Sequence, residues 1–139
     1  MRKPSIWYWV ICVLALVWNG FGAADYLAYH LDTPAYEARM EADAVSYFNS
    51  LPGWLMWAWA LAVWGGILGW VLMLLRSRFA LPAFVVSLVA MVINFGYWIP
   101  TGGLSIMPIA GLVVTAFVVA GAVFAVWFAR RARAKGTLR

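Results

Sequence analysis

The stretch Trp18-Asn19-Gly20-Phe21-Gly22-Ala23-Ala24-Asp25-Tyr26 decides how this chain is organised. It closes an apolar segment that begins at Ile6, places an amide among apolar residues, and ends on an acid and a tyrosine. An uncharged apolar segment of about 20 residues is typical of a helix that crosses a lipid bilayer. The residues after Ala24 are much more polar, so this stretch marks the place where the chain leaves the apolar environment.

Four apolar segments of this kind occur in the 139 residues, a length that corresponds to one domain. We predict membrane spans at about residues 6–24, 54–75, 79–99 and 106–129. Hydrophobic residues make up 66% of the chain and charged residues 11%, far below the roughly 25% charged residues of soluble domains. The sequence therefore predicts an all-α fold, an integral membrane four-helix bundle that forms a single domain.

The first segment has an alternative interpretation. A basic start, an apolar stretch and the small residues Gly22-Ala23-Ala24 also fit a cleaved signal peptide. Trp7, Tyr8 and Trp9 are typical of the aromatic belt at a membrane surface, and they favour a retained span.

The outer segment, residues 25–53, contains all five acidic side chains. Thr33-Pro34 is a favourable helix start, with threonine as the N-cap and proline at the first helical position. Apolar side chains then recur at helical spacing, at Tyr36, Met40, Ala44, Tyr47, Phe48 and Leu51. We predict a short amphipathic extracytoplasmic helix between spans 1 and 2, which lies on the membrane surface or caps the bundle.

Nine of the ten lysines and arginines fall on one side of a four-span chain: two before span 1, two between spans 2 and 3, and five in residues 130–139. The positive-inside rule then predicts that both termini are cytoplasmic and that residues 130–139 form a basic tail. This bias argues against the dual topology of small multidrug exporters and four-span fluoride channels. With a net charge of +5 located at helix ends, the expected partner is the lipid bilayer and not nucleic acid.

The single cysteine and the single histidine limit the chemistry of the chain. Cys12 alone excludes an internal disulfide and a CxxC redox pair. His30 alone excludes a haem held by two histidines of one chain, and a surface position is expected for it. The spans contain no acid–base pair, nucleophile triad, metal cluster or phosphate loop, so we expect no enzyme activity, no cofactor and no metal site.

Small residues in the spans predict where helices pack closely. Gly65 and Gly69 have the GxxxG spacing of close helix contacts, and the fourth span has a face of small residues. The predicted packing positions are Gly20, Gly22, Gly65, Gly66, Gly69, Ala116 and Ala120.

Polar residues inside the spans are the candidates for a ligand site, because burying them in lipid is costly. At 1.5 Å per residue, Asn19 lies about 20 Å and Asn94 about 22 Å from the inner ends of their spans. The sequence thus predicts two amides at one depth, which either join the helices by hydrogen bonds or bind a ligand. The candidate ligand-binding residues are Asn19, Asp25, Tyr26, Asn94, Tyr97 and Trp98.

A longer pattern extends over the first two thirds of the chain. It comprises the stretch from Asn19 to Tyr26, Tyr47-Phe48, Leu51-Pro52-Gly53-Trp54, and Ala60-Leu61-Ala62-Val63-Trp64-Gly65-Gly66 followed by a basic turn. This pattern resembles a family of small proteobacterial four-span membrane proteins, some of which are labelled "sugar transporter". The resemblance implies a four-span architecture in a bacterial inner membrane, and it brings no catalytic residues. Many members have a threonine-containing segment after the Asp-Tyr pair, where this chain has Leu27-Ala28-Tyr29-His30.

Two functions are compatible with these features. We expect a small inner-membrane protein that binds or transports a small polar or amphipathic solute, and that forms a homo-oligomer because four short helices enclose little volume. The alternative is a non-catalytic accessory or assembly subunit of a larger membrane complex.

Overall fold

A computed structural model describes residues 3–139, and within this range the chain is helical without strands. The helices are α1 (Ile6–Leu31), α2 (Thr33–Glu37), α3 (Ala42–Ser50), α4 (Trp54–Leu74), α5 (Ala80–Trp98) and α6 (Ile109–Ala134). The four long helices α1, α4, α5 and α6 are long and apolar enough to cross a membrane. The prediction of an all-α fold with four such helices is confirmed.

The long helices form an antiparallel bundle in the order α1, α4, α5, α6, and each helix packs mainly on the one before and the one after it in this order. α4 lies between α1 and α5, and α6 packs on the other side of α5. α1 continues to Leu31, seven residues past the predicted end of span 1, because Pro34 is the first residue that cannot extend it. α6 begins after Pro108 and continues to Ala134, where arginines in the last turn complement the helix dipole.

The outer segment forms two short helices, α2 and α3, where the sequence pattern predicted one. A turn at residues 38–41 separates them. The N-cap of α2 is Asp32, whose carboxylate accepts a hydrogen bond from the N–H of Ala35 at 3.2 Å. The hydroxyl of Thr33, the predicted cap, instead donates to the carbonyl of Tyr29 at 2.7 Å. A carboxylate one residue earlier thus takes over the capping role, because Thr33 is bonded back to α1.

The two ends of the bundle differ in charge. The start of α1, the α4–α5 turn and the end of α6 meet at one end, which we call the basic end. Eight of the nine lysines and arginines in residues 3–139 lie in these three segments or within five residues of them. We call the opposite end, which carries residues 25–53 with all five acidic side chains, the acidic end.

The hydrophobic core lies toward the basic end. Its buried members are Tyr8, Cys12, Trp70, Met73, Ala80, Phe84, Ala125, Ala129, Ala132 and Leu138. The hydroxyl of Tyr8 donates to the carbonyl of Met73 at 2.6 Å and joins α1 to α4 inside this core. The ring of Tyr8 also stacks on Phe128 of α6, with ring centroids 5.7 Å apart. All four long helices therefore meet at the basic end and close it.

Residues 137–139 complete this closure, and we call them the strap. The N–H of Arg139 donates to the carbonyl of Arg76 at 2.7 Å, and Nε of Arg76 donates to the carbonyl of Thr137 at 3.0 Å. Leu138 lies in the core and is only 8% exposed. The segment predicted as a basic tail, residues 130–139, is thus the end of α6 followed by a strap packed on the α4–α5 turn.

The strap gives a first prediction. Replacing Leu138 by alanine removes a buried side chain from the core, and we expect a loss of about 2 kcal/mol, at the lower end for leucine-to-alanine changes in cores. The measurement is the thermal unfolding midpoint of the purified protein in detergent. Leu75→Ala is the control, because Leu75 lies close to the same turn and is 67% exposed. Equal midpoints for the two variants would show that burial of the Leu138 side chain does not contribute to stability.

Candidate functional site

A cavity of about 520 Å³ lies between the four long helices on the acidic side of the core. Its lining on α4 runs from Leu55 to Trp70, which corresponds to a length of about 22 Å at 1.5 Å per residue. Trp70 and Phe84, which are core residues, line its inner end. The cavity is therefore long and narrow, and it is closed toward the basic end.

Most of the cavity wall is apolar or aromatic, with a few polar groups set into it. The lining residues with an amide, carboxylate or hydroxyl group are Asn19, Asp25, Tyr36, Ser87, Asn94 and Thr115. Such a wall is typical of sites that bind small molecules, where apolar surface supplies most of the contact and a few polar groups fix the orientation.

Glycines on α4 explain why three of the helices pack closely while the fourth stands away. A Cβ atom at Gly66 would lie 2.6 Å from Oδ1 of Asn19 and 3.6 Å from Oγ of Ser87, so α1 and α5 both approach α4 at this glycine. A Cβ at Gly65 would lie 3.1 Å from Cβ of Ser87. On α6, a Cβ at Gly121 would have one near neighbour, Nε1 of Trp18 at 4.0 Å. The looser packing of α6 leaves the space that becomes the cavity.

The two amides line the same cavity at different depths. Asn19 and Ser87 both flank Gly66, and Asn94 lies seven residues beyond Ser87 on α5, about 10 Å nearer the acidic end. The prediction that Asn19 and Asn94 share one depth was therefore wrong. Counting from the inner end of each span assumes that the two helices start at the same height, whereas the contact around Gly66 sets their actual register.

The amide nitrogen of each asparagine donates a hydrogen bond within its own helix, whereas the amide oxygen does not accept one from the described residues. Nδ2 of Asn19 donates to the carbonyl of Ala15 at 2.8 Å, and Nδ2 of Asn94 donates to the carbonyl of Ala90 at 3.0 Å. Within residues 3–139, neither amide oxygen accepts a hydrogen bond. The Ser87 hydroxyl, in contrast, donates to the carbonyl of Ala62 at 2.5 Å and joins α5 to α4. Both amide oxygens thus lack a hydrogen bond among the described residues, and the oxygen of Asn19 lies against Gly66.

Trp98 has a buried donor near the acidic end that is without a partner within residues 3–139. Its indole Nε1 is buried and has no hydrogen-bond partner in the part of the chain described here. The ring is held edge-on by Tyr47, Phe48 and Phe95, with centroids 5.5–6.1 Å away. A buried donor without a partner costs about 1–3 kcal/mol, and a ligand acceptor could recover this cost only after the Trp98 ring moves, because the atom is covered.

Asp25 and Tyr36 line the cavity where it reaches the acidic end. The Tyr36 hydroxyl donates to the Asp25 carboxylate at 3.0 Å and so ties α2 to α1. Burial raises the pKa of Tyr36 above its usual range, and the negative charge of Asp25 raises it further. A raised pKa keeps the phenol protonated at neutral pH, so it remains the donor in this pair.

Aromatic side chains surround this end of the cavity. Tyr29 contacts Tyr36, Phe48 and Trp59, with ring centroids 5.4–6.1 Å apart. The Tyr47 hydroxyl forms a hydrogen bond of 2.6 Å with Thr101 and connects α3 to the loop after α5. α2 and α3 therefore cover the acidic end as a lid held by aromatic contacts and by the hydrogen bond between Tyr47 and Thr101.

The structure brings together four of the six residues that the sequence indicated as a ligand site: Asn19, Asp25, Asn94 and Trp98 line the cavity. The other two lie outside its lining. Tyr26 stacks on His30 with centroids 4.1 Å apart, and Tyr97 packs edge-on against Trp54 at 5.9 Å. Tyr36 was missed as a site residue, because its contact with Asp25 spans a turn that no local sequence pattern indicates.

The predicted packing positions fall into two groups. Gly65, Gly66 and Gly69 lie at close contacts with α5 or α1, and an added Cβ at Gly69 would lie 2.3 Å from the ring of Phe84. At Gly20 and Gly22 an added Cβ would have no heavy-atom neighbour within 4 Å, and Ala116 and Ala120 are exposed. The buried small residues of α6 are instead Ala125, Ala129 and Ala132, nearer the basic end.

His30 is exposed, and its Nδ1 lies 2.8 Å from the carbonyl of Tyr26. Residues 3–139 contain no group of three or more histidine, cysteine or acidic side chains that could hold a metal ion. Comparisons of the chain with protein-family models, with curated proteins and with solved structures found no match.

Proposed function

We propose that this chain is an integral protein of a bacterial inner membrane that binds or transports a small amphipathic solute in the cavity between its helices. The four apolar helices support membrane insertion, and the positive-inside rule places the basic end, with both termini, in the cytoplasm. The resemblance noted in the sequence supports the bacterial inner membrane. The proposed role is a non-catalytic one, as expected from the sequence.

One observation carries the proposal: a cavity of about 520 Å³ is lined by two amides whose oxygens accept no hydrogen bond within residues 3–139. Its volume falls within the roughly 300–1,000 Å³ of typical small-molecule sites. The amide oxygen of Asn94 offers an acceptor four residues before the buried indole of Trp98, and the amide oxygen of Asn19 lies against Gly66. A solute with a polar group near Asn94 and Trp98 and an apolar part extending toward Trp70 matches this distribution.

The packing of α6 suggests how such a solute enters. At the basic end, α1 contacts α6 through the rings of Tyr8 and Phe128. Nearer the acidic end, Trp18 of α1 lies close to Gly121 of α6, where an added Cβ would be 4.0 Å from the indole Nε1. Beyond this level, Phe21 and Gly22 line the cavity and are also exposed. In a membrane this opening between α1 and α6 would face the acyl chains of the outer leaflet. An amphipathic solute would therefore enter sideways from the bilayer, beneath the lid formed by α2 and α3.

The test uses Asn94→Leu, with Val92→Leu as the matched control on the lipid-facing side of the same helix, where Val92 is 62% exposed. Each protein is purified from membranes in mild detergent, and the small molecules it retains are extracted and identified by mass spectrometry. We expect the wild type and Val92→Leu to retain the same solute, and Asn94→Leu to bind it at least about fivefold more weakly. Loss of a buried hydrogen-bond partner costs about 1–3 kcal/mol, and 1.4 kcal/mol is tenfold in affinity.

The same variants are then compared in liposomes, where flux of the identified solute separates binding from transport. If leucine at both Asn19 and Asn94 changed neither the retained solute nor its flux, the cavity would not be a solute site. Retention of solute without flux would leave a binding protein and remove the transport role.

A second function is favoured by the exposed small residues. Gly22, Ala116 and Ala120 are exposed on long apolar helices, and small residues on such faces allow close approach of another helix. This supports a homo-oligomer or an accessory role in a larger membrane complex. A stoichiometric partner that co-purifies in mild detergent would establish the accessory role, and a clean homo-oligomer under the same conditions would argue against it.

A further inference from the structure

A second, shallower groove of about 460 Å³ runs along α6 at the basic end. Its lining consists of Leu88 of α5 and of Val123, Val126, Trp127, Arg130, Arg131 and Ala134 of α6. We propose that this groove is a binding site for one anionic phospholipid of the inner leaflet. The proposal rests on the membrane insertion proposed above, and it is independent of any solute in the central cavity.

The charge of the groove selects an anion. Arg130 and Arg131 are exposed at its rim, while every aspartate and glutamate of the chain lies in residues 25–43, at the opposite end of the bundle. The guanidinium of Arg131 lies over the ring of Trp127, 5.4 Å from its centroid. This cation–π contact restricts the side chain before a ligand arrives. Two adjacent arginines suit a phosphodiester, because each guanidinium can donate two parallel hydrogen bonds to phosphate oxygens.

The floor of the groove selects a lipid over a free anion. Val123, Val126 and Leu88 are apolar, and Val123 lies seven residues before Arg130 on α6, about 10 Å deeper in the membrane. A phosphate held by the arginines would thus place the first part of its acyl chain along these side chains. Inorganic phosphate would use the rim alone and leave this apolar floor exposed. Trp127, at the boundary between the two parts, is 50% exposed and occupies the level typical of interfacial tryptophans.

The chain offers a matched pair of variants for the test. Arg130→Gln with Arg131→Gln removes two charges from the groove. Arg133→Gln with Lys135→Gln removes two charges from the same end of α6, outside the groove lining. Delipidated protein is titrated with phosphatidylglycerol or phosphatidylcholine of identical acyl chains, and bound lipid is counted by native mass spectrometry. We expect the wild type to bind phosphatidylglycerol at least tenfold more tightly than phosphatidylcholine. The groove variant should lose this preference, and the control variant should keep it within about twofold.

Each other outcome would overturn the proposal. Equal losses in the two variants would indicate diffuse attraction by the whole basic end, and equal binding of the two lipids would mean that the headgroup is not recognised. Glycerol phosphate binding as tightly as the lipid would indicate a site for a free anion. If the glutamine variant does not fold, Arg130→Lys with Arg131→Lys decides: it keeps both charges but loses the paired donors, so we expect a loss of about threefold to tenfold. None of these results depends on whether the central cavity retains a solute.

Discussion

Adding one methyl group at Gly69 is expected to destabilise the protein by about 1–3 kcal/mol, the usual range for overpacking a well-packed core. A Cβ at this position would lie 2.3 Å from Cε1 of Phe84, far inside van der Waals contact. Phe84 is 2% exposed, and its ring meets Trp70 edge-on with centroids 4.9 Å apart. The ring therefore cannot swing away without moving Trp70 or separating α4 from α5.

Gly20→Ala is the control, because it adds the same methyl group to α1 at a position with no heavy atom within 4 Å. Alanine is also the better helix former, so this variant should be as stable as the wild type or slightly more stable. Thermal unfolding in detergent, followed by tryptophan fluorescence, compares the two. A second substitution, Phe84→Leu, should recover part of the loss in Gly69→Ala, since coupling of this kind is expected only between residues in contact. Equal midpoints for Gly69→Ala and Gly20→Ala would contradict the close α4–α5 contact.

The second large effect concerns membrane topology: we expect nearly all-or-none labelling of cysteines placed at the two ends of the bundle. Single cysteines are placed in a Cys12→Ala background at Ala42, exposed at the acidic end, and at Ala134, exposed at the basic end. Intact spheroplasts are then treated with a membrane-impermeant maleimide. We expect labelling of Ala42→Cys in intact cells and labelling of Ala134→Cys only after lysis. The reason is the distribution of charge, since nine of the ten lysines and arginines belong to segments on one predicted side of the membrane.

The parent Cys12→Ala protein is the blank, and Cys12 itself is fully buried, so its removal leaves the surface unchanged. The reversed labelling pattern would invert the proposed orientation. Labelling of both cysteines in intact spheroplasts would place both ends of the bundle outside, which is incompatible with four spans. Either result would also move the arginine groove on α6 away from the inner leaflet.

The candidate site was partly accessible from the sequence. Asn19 and Asn94 stand out because amides are rare in apolar segments, and both line the cavity. Their relative depth was not accessible, because it depends on which residues of neighbouring helices touch. Asn19 and Ser87 meet at Gly66, and this contact leaves Asn94 about 10 Å farther along α5. Tyr26 and Tyr97 were misplaced for a similar reason, since the rotation of each helix turns their rings away from the cavity.

The sequence by itself determined that four segments form long apolar helices and that positive and negative charges lie at opposite ends. Length, hydropathy and charge are properties of each segment, so they can be read without knowing its neighbours. Only the tertiary structure decided that α6 stands away from α1 toward the acidic end, that residues 137–139 fold back on the α4–α5 turn, and that a cavity remains between the helices. These features depend on how closely two helices approach at particular side chains. Gly65, Gly66 and Gly69 draw α4 onto α5 and α1, whereas α6 meets α1 through the larger side chains Tyr8, Trp18 and Phe128.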